Sequence, residues 1–191
     1  AFNFFKNLNN NDFIFLINIK NINDKKIKRI NDLKKKKFKF KIFKTDISRE
    51  NSVKKMFERI VKEYKDIDIL INNAASIPKR KKIINTSFKE HDEIIKTNIN
   101  GLFLSTKYFL EYCDLNKKKF IMNISSNSSV YGGEKISTYS STKAFMNTFT
   151  KAISRESRNI HAISLLIGRI KINSIQKNSR VMFQNVILRS L

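Results

Sequence analysis

The clearest shortages in this sequence are of glycine, proline, tryptophan and cysteine. Of its 191 residues, 4 are glycine, 1 is proline, 1 is cysteine and none is tryptophan. The single cysteine, Cys113, excludes an intrachain disulfide and gives no sign of an oxidising compartment. The chain has only 2 histidines, His91 and His161, so we expect no metal site. No apolar run approaches the roughly 18 residues of a membrane-spanning helix, and no signal peptide is recognised.

Acidic residues are also scarce. There are 39 lysines and arginines against 16 acidic residues, which gives a formal net charge of +23. Such a charge can indicate a nucleic-acid-binding protein. However, the abundance of Lys, Asn, Ile and Phe is typical of an AT-rich coding sequence, and runs such as Lys34–Lys37 fall where loops or helix ends are expected. We therefore expect non-specific polyanion binding at low salt and no specific nucleic-acid partner.

What the sequence does contain is an alternation of short apolar segments with amphipathic ones. Phe13–Ile19 is a nearly continuous apolar run, as expected of a strand buried on both faces. Further strands are predicted at 40–43, 67–71, 120–124 and 161–167, and helices at 24–35, 48–61, 87–97, 98–113 and 139–154. This order predicts an α/β fold with a Rossmann-like, doubly wound parallel sheet and helices on both faces. Since no linker or repeat is found, residues 1–191 are expected to form one domain.

Polar residues fall at the predicted carboxyl ends of these strands, where open parallel sheets bind their ligands. Asn72 ends the third strand and Ser126 ends the fourth. Tyr139 and Lys143 are four residues apart on one predicted helix, so they share one face of it. Asn98 lies in the helix that follows the third strand. The topology therefore predicts one polar site at this edge of the sheet.

Four motifs in this region resemble those of the short-chain dehydrogenase/reductase family. They are NNAA (Asn72–Ala75), NING (Asn98–Gly101), MNISS (Met122–Ser126) and YSSTK (Tyr139–Lys143). Their order and spacing agree with the family over about residues 10–172. The resemblance implies reduction of a carbonyl by NAD(P)H, with a 3-oxoacyl-[acyl-carrier-protein] reductase as the first expectation. A reductase of sugars or polyols is the alternative, because the loop SSNSSVYGGEKISTY suits that branch at least as well.

The resemblance also implies a role for each catalytic residue. Tyr139 would supply the proton and contact the cofactor, and Lys143 would favour the phenolate and bind the nicotinamide ribose. Ser126 would hold the substrate carbonyl, and Asn98 would anchor a water in the proton relay. The chemistry is consistent, because a tyrosine with a pKa of about 10 needs a nearby cation to exchange protons at neutral pH.

For the cofactor, the resemblance places Asp46 and Ile47 beside the adenine, and Asn72 and Ala74 along the adenosine. Lys20 follows the first apolar strand, at the position where an acidic residue would select NAD by binding the ribose hydroxyls. A cation there suits the 2′-phosphate of NADP. The expected cofactor is therefore NADP, with NAD as the alternative.

The family's first strand and glycine-rich turn have no counterpart, since the first glycine of the chain is Gly101. That turn presents backbone amides to the cofactor pyrophosphate. We therefore expect either a fragment or a decayed enzyme, and the latter would bind a partner or nucleic acid through its charge. The intact set of Asn98, Ser126, Tyr139 and Lys143 argues against decay. The vacant strand position is expected to leave its neighbours' edges exposed.

The C-terminal part departs from the family as well. Ile167 and Ile172 stand where a proline and a threonine are expected, which puts contacts with the nicotinamide carboxamide in doubt. The segment after Gly168 has no pattern that places it. By resemblance alone, the two helices at 98–113 and 139–154 would pack between subunits of a homodimer or homotetramer, and the location would be the cytoplasm or an organelle stroma.

Overall fold

The computed structural model describes residues 13–19, 39–168 and 185–190, with side chains over 39–168. Lys20 and the predicted helix at 24–35 lie outside these residues. The elements in chain order are β1 (Phe13–Ile19), β2 (Phe40–Lys44), α1 (Glu50–Tyr64), β3 (Ile69–Asn72), a 3₁₀ turn (Ile83–Asn85), α2 (Phe88–Ile95), a π-helical turn (Lys96–Asn100), α3 (Gly101–Tyr112), β4 (Lys119–Ser126), α4 (Ser128–Tyr131), α5 (Ser137–Ile153), β5 (Ile160–Ile167) and β6 (Asn185–Ser190). Every helix in the described part of the chain is too short or too polar to span a bilayer.

Within the described residues, the strands form one sheet in the order β2-β1-β6-β3-β4-β5. The pairs β1–β2, β3–β4 and β4–β5 are parallel, as the alternating pattern predicted. Strand β6 runs antiparallel to both of its neighbours. The prediction of a Rossmann-like α/β fold with an incomplete strand set is confirmed, and the antiparallel strand is a feature that the sequence did not predict.

Strand β6 occupies the position of the missing first strand. It pairs with six residues of β1 on one side and with four residues of β3 on the other. The expected exposure of the inner edges of β1 and β3 was therefore wrong, because the segment after Gly168 returns to pair with both. Pairing these edges removes the exposed backbone groups that would otherwise favour aggregation.

Helices α1, α3 and α5 bury their apolar faces in one core against the sheet. Helix α1 contributes Val53, Met56, Phe57 and Ile60, which have the helical spacing predicted from the sequence. At the start of strand β5, burial alternates between neighbouring side chains: Ile160 is buried and His161 is exposed. These three helices thus share one core against the sheet, and the helix predicted at 24–35 falls outside the described residues.

For the helix N-termini, the sequence predicts a capping box of Ser87 and Glu90 at one helix and a cap by Ser48 at the preceding one. The first prediction is confirmed and the second is wrong. At α2, Ser87 accepts the N–H of Glu90 and the Glu90 carboxylate accepts the N–H of Ser87, the predicted capping box. Ser48 was expected to cap α1, but α1 begins at Glu50 with no side-chain cap. The Ser48 hydroxyl donates instead to Asp46 at 2.7 Å, which turns the chain after β2.

A buried ion pair fastens the amino ends of β3 and β4. Lys119 is fully buried, and its ammonium donates to Asp66 Oδ2 at 2.7 Å and to the carbonyl of Ile67 at 2.8 Å. Asp66 also accepts the backbone N–H groups of Ile67 and Asp114. Burial raises the pKa of Asp66, but the Lys119 ammonium and these N–H groups outweigh it and hold the pKa below its usual 3.8.

Replacing Lys119 by Met should lower the free energy of unfolding by about 3–5 kcal/mol, because it leaves the buried Asp66 carboxylate without its cation. Lys118→Met changes an exposed neighbour and should stay within about 0.5 kcal/mol. Urea unfolding of the three proteins at pH 7 measures the difference. A lowered pKa stabilises the fold only while Asp66 is ionised, so the penalty should shrink as the pH falls through that pKa. Equal stability of Lys119→Met and wild type at pH 7 would contradict this assignment.

Candidate active site

The carboxyl ends of the parallel strands bring most of the predicted site residues to one edge of the sheet. Asp46 follows β2, Asn72 ends β3 and Ser126 ends β4. Helix α5 packs against the π-helical turn and against β4 and β5, and it carries Tyr139 and Lys143 near its N-terminus. Lys20 would follow β1 at this edge, but it lies outside the described residues.

Lys143 is a buried cation in a neutral environment. Its ammonium donates to the carbonyl of Ile124 at 2.6 Å, contacts the sulfur of Met146 at 3.9 Å, and lies 5.8 Å from the centre of the Tyr139 ring. Burial lowers the pKa of Lys143 to about 8. No carboxylate among residues 39–168 forms an ion pair with it. The ammonium therefore has donor capacity left for a hydroxyl of a ligand.

Two consecutive serines end β4 in different environments. Ser125 is buried, and its hydroxyl donates to the backbone carbonyl of Lys143 at 3.3 Å. Ser126 is half-buried at the edge, where its oxygen accepts from the N–H of Ser128 at 3.2 Å and from the Ser128 hydroxyl at 3.0 Å. The alternation of the strand thus directs Ser125 into the α5 contact and leaves Ser126 as the serine that a substrate could reach.

Asn98 lies in the π-helical turn and is almost completely buried. Its Oδ1 accepts the N–H of Ser76 at 2.7 Å, while its Nδ2 donates to the Ser76 carbonyl and to the hydroxyl of Thr142, both at 3.1 Å. Both amide hydrogens are used, so the side chain joins the loop after β3 to α5. A water held by this residue could accept nothing from the amide and would have to donate to Oδ1 or to the backbone carbonyl, where a π turn interrupts the regular hydrogen bonding.

The two residues predicted beside the adenine, Asp46 and Ile47, use their side chains for contacts within the protein. Asp46 accepts the N–H of Ser48 at 3.1 Å as well as its hydroxyl. The Ile47 side chain is buried against Gly101, where an added Cβ would lie 2.7 Å from Ile47 Cδ1. A side chain at the start of α3 would therefore have to displace the end of the Ile47 side chain, which favours glycine there. Ile47 can offer a ligand only its backbone.

The two residues predicted along the adenosine, Asn72 and Ala74, also have side chains that contact the protein interior. The Asn72 amide donates to Thr106 on α3 at 3.2 Å and to Asn123 on β4 at 2.9 Å. Ala74 is also buried. These two residues fix the end of β3 beneath the site, and their backbone groups are what a cofactor could contact there.

Sequence reasoning passed over two hydroxyl residues that lie between Tyr139 and Lys143. Thr142 is completely buried and donates to the carbonyl of Tyr139 at 2.8 Å while it accepts from Asn98. Ser140 accepts the N–H of Gly133, in the loop before α5, at 2.9 Å. The only available signal was that all three residues between Tyr139 and Lys143 in YSSTK carry hydroxyls.

The described residues offer a contact for a ribose of a dinucleotide, and none of the kind usual for its pyrophosphate. Lys143, with Tyr139 beside it, presents a buried donor suited to a ribose hydroxyl. The pyrophosphate of such a cofactor usually lies on a turn between a strand and a helix N-terminus. In the described part of the sheet that position belongs to β6, which begins at this edge and runs away from it. The described residues thus include a buried donor that suits a ribose hydroxyl, and they show no such turn.

Comparison with known proteins agrees with this geometry. The profile of the short chain dehydrogenase family matches residues 3–180. An uncharacterized oxidoreductase of Thermotoga maritima is 30% identical over 138 residues, which cover 71% of this chain and 54% of that protein. The 3-oxoacyl-[acyl-carrier-protein] reductase FabG of Aquifex aeolicus is 36% identical over 107 residues, 56% of this chain and 43% of that protein. A solved structure of ElxO with NADPH bound superposes with a TM-score of 0.72 and 26% identity, covering 85% of this chain and 66% of that one.

The extent of these matches is limited. The chain spans about half the length of the curated relatives it matches.

Proposed function

The chain belongs to the short-chain dehydrogenase family, and on that premise we propose that it reduces a carbonyl group to a hydroxyl with hydride from a nicotinamide cofactor. The observation that carries the proposal is the placement of Tyr139 and Lys143 on one face of α5, beside the carboxyl end of β4 with Ser126. The bound cofactor would supply the hydride. Tyr139 would give the proton to the carbonyl oxygen that Ser126 holds.

Each residue then has a defined task in the reaction. The hydroxyl of Ser126, which is half-buried, would donate to the substrate oxygen and polarise the carbonyl. Lys143 would keep its charge close to Tyr139 and favour the phenolate that remains after proton transfer. Asn98 would hold the loop after β3 against α5, and its backbone would take part in returning a proton from solvent.

NADP is the proposed cofactor, with the 2′-phosphate bound by Lys20 and the adenosine by Asp46, Ile47, Asn72 and Ala74. The support is the sequence position of Lys20, directly after β1, and the cation that it carries there. NADPH and NADH should both be offered in the same assay. A preference for NADH would contradict the proposed role of Lys20 in binding the 2′-phosphate. It would not affect the proposed carbonyl reduction.

The proposed substrate is a 3-oxoacyl thioester carried by an acyl carrier protein. The support is the match to FabG proteins of Aquifex aeolicus and Thermotoga maritima, at 36% and 27% identity. NADPH oxidation at 340 nm with acetoacetyl thioesters, compared with a panel of keto sugars, tests the substrate class. Turnover of keto sugars alone would favour the sugar or polyol reductase instead. No turnover of any carbonyl would favour a non-catalytic remnant.

The buried Lys143 predicts a pH dependence of the reaction. Burial holds the pKa of Lys143 at about 8, so the ammonium form that assists Tyr139 is lost as the pH rises through that value. The rate of carbonyl reduction should therefore be highest below pH 8 and fall above it. Lys143→Arg keeps its charge throughout this range, so its rate should be lower and should lack the step that the Lys143 pKa causes. A wild-type rate that stays constant from pH 7 to 10 would contradict this role of Lys143.

The proposal extends to the assembly. We propose that residues 1–191 act as one domain in the cytoplasm or an organelle stroma and form homodimers or homotetramers through α3 and α5. The support is that Phe103 on α3 and Phe145 on α5 are 48% and 39% exposed, and that Phe145 stacks on Phe149 with ring centres 5.7 Å apart. Sedimentation analysis of wild type and Phe145→Ser tests the interface. A wild-type monomer would contradict it.

A further inference from the structure

The N-terminal half of α5 is held by buried hydroxyls that the proposed catalytic set does not include. Thr142 directly precedes Lys143 in the chain, and its side chain is completely buried. Its oxygen makes two contacts with different parts of the site. It donates to the backbone carbonyl of Tyr139 at 2.8 Å and accepts an amide hydrogen of Asn98 at 3.1 Å.

These two contacts join Tyr139 and Asn98 through one atom. The first lies on the helix that carries Tyr139 and Lys143, and the second lies on the π-helical turn. Through the same Asn98 amide, the link continues to the carbonyl of Ser76 in the loop after β3. A hydrogen bond of Thr142 therefore joins α5 to the π turn in addition to the packing between them.

We propose that Thr142 is a positioning residue for the reaction, whose hydroxyl fixes Tyr139 and Lys143 relative to Asn98. The inference rests on the proposed function, because it concerns how the proposed catalytic groups are aligned. A displacement of about 1 Å in such groups can reduce a rate by up to about 100-fold. Loss of the hydroxyl should therefore affect turnover far more than it affects the fold.

Helix α5 offers a matched control for the loss of one buried hydroxyl. Thr150 is also buried, donates to the helix carbonyl of Met146 at 2.6 Å, and accepts from Asn123 at 2.7 Å and from Ser164 at 2.9 Å. It therefore makes at least as many hydrogen bonds as Thr142. It lies eight residues further along the helix, about 12 Å from Thr142. Thr142→Val and Thr150→Val remove the same group at the site and away from it.

Steady-state kinetics of NADPH oxidation should separate the two variants. We expect Thr142→Val to lower kcat about 10-fold with the KM for NADPH within about twofold of wild type, while Thr150→Val keeps kcat within about threefold. Thr142→Ser, which restores the hydroxyl, should recover the wild-type kcat to within about threefold. If Thr142→Val does not fold, Thr142→Ala is measured in its place. Equal losses in Thr142→Val and Thr150→Val, or no recovery with serine, would overturn the proposal.

A second readout does not depend on turnover. The rate at which the Lys143 amine is chemically labelled, followed by peptide mass spectrometry against pH, gives a midpoint expected at about 8 in wild type. If α5 moves away from the π turn in Thr142→Val, water reaches Lys143 and the midpoint should rise by about one pH unit. Thr150→Val should leave it unchanged. A wild type without turnover would refute the proposed function, and the labelling midpoints would still decide whether Thr142 positions Lys143.

Discussion

Replacing Tyr139 by Phe should reduce the rate of carbonyl reduction by about 100-fold to 10,000-fold, the range expected when a general acid is removed. The phenolic oxygen is the only atom lost, so the ring can keep its place near the Lys143 ammonium, 5.8 Å from its centre in wild type. Cofactor binding should change little, because Lys143 supplies the proposed ribose contact. The measurement is NADPH oxidation with the best carbonyl substrate, alongside NADPH binding by fluorescence.

Tyr131 provides the matched control for this substitution. It ends α4, just before the loop that leads to α5, and it is 84% exposed. Tyr131→Phe removes the same hydroxyl from a position that nothing in the proposed reaction uses, so its rate should equal that of wild type. Comparable turnover in Tyr139→Phe and wild type would remove Tyr139 as the proton donor and would leave the family fold without its proposed chemistry.

Disrupting β6 should destabilise the fold strongly. Within the described residues, β6 is the strand that joins the pair β2–β1 to the group β3–β4–β5. Ile187 lies in the middle of it, opposite Leu16 on one side and Leu70 on the other. A proline there removes a ladder hydrogen bond and fits poorly in a central strand, which should cost about 3 kcal/mol or more. Urea unfolding monitored by circular dichroism measures the loss.

The control for this experiment keeps the backbone and changes the side chain slightly. Ile187→Val retains a β-branched residue with its N–H and should cost no more than about 1.5 kcal/mol. Removal of residues 185–191 should go further, since it opens the inner edges of both β1 and β3, and aggregates should appear in size-exclusion chromatography. A truncated protein as stable and monodisperse as the full chain would show that β6 does not join the sheet.

The parallel part of the sheet was predictable because each strand carries its own local signal. Apolar runs such as Ile67–Ile71 alternate with helices of clear periodicity. The capping box of Ser87 and Glu90 predicts the start of α2. Strand β6 was not predictable in this way. Its six residues, NVILRS, follow a segment without pattern, and their position depends on a vacancy between β1 and β3 that only the assembled sheet creates.

The same distinction holds for the site. Tyr139, Lys143 and Ser126 could be chosen from motif spacing and strand ends, and the structure brings them to the same edge. The hydrogen bonds of Asn98 could not be read from the sequence, because its partners, Ser76 and Thr142, lie 22 and 44 residues away. The buried state of Lys143 was equally hidden, because most lysines among residues 39–168 are exposed. Tertiary packing, rather than local pattern, decides which lysine is desolvated.

The most direct test of the proposed function is the transfer of the hydride itself. NADPH deuterated at C4 of the nicotinamide, on each face in turn, is incubated with the chain and an acetoacetyl thioester, and the alcohol product is analysed by mass spectrometry. The proposed function predicts one deuterium on the new carbinol carbon from one of the two cofactors, with oxidation of one NADPH for each alcohol formed. No deuterated alcohol and no NADPH oxidation, from a chain that circular dichroism shows to be folded, would contradict it.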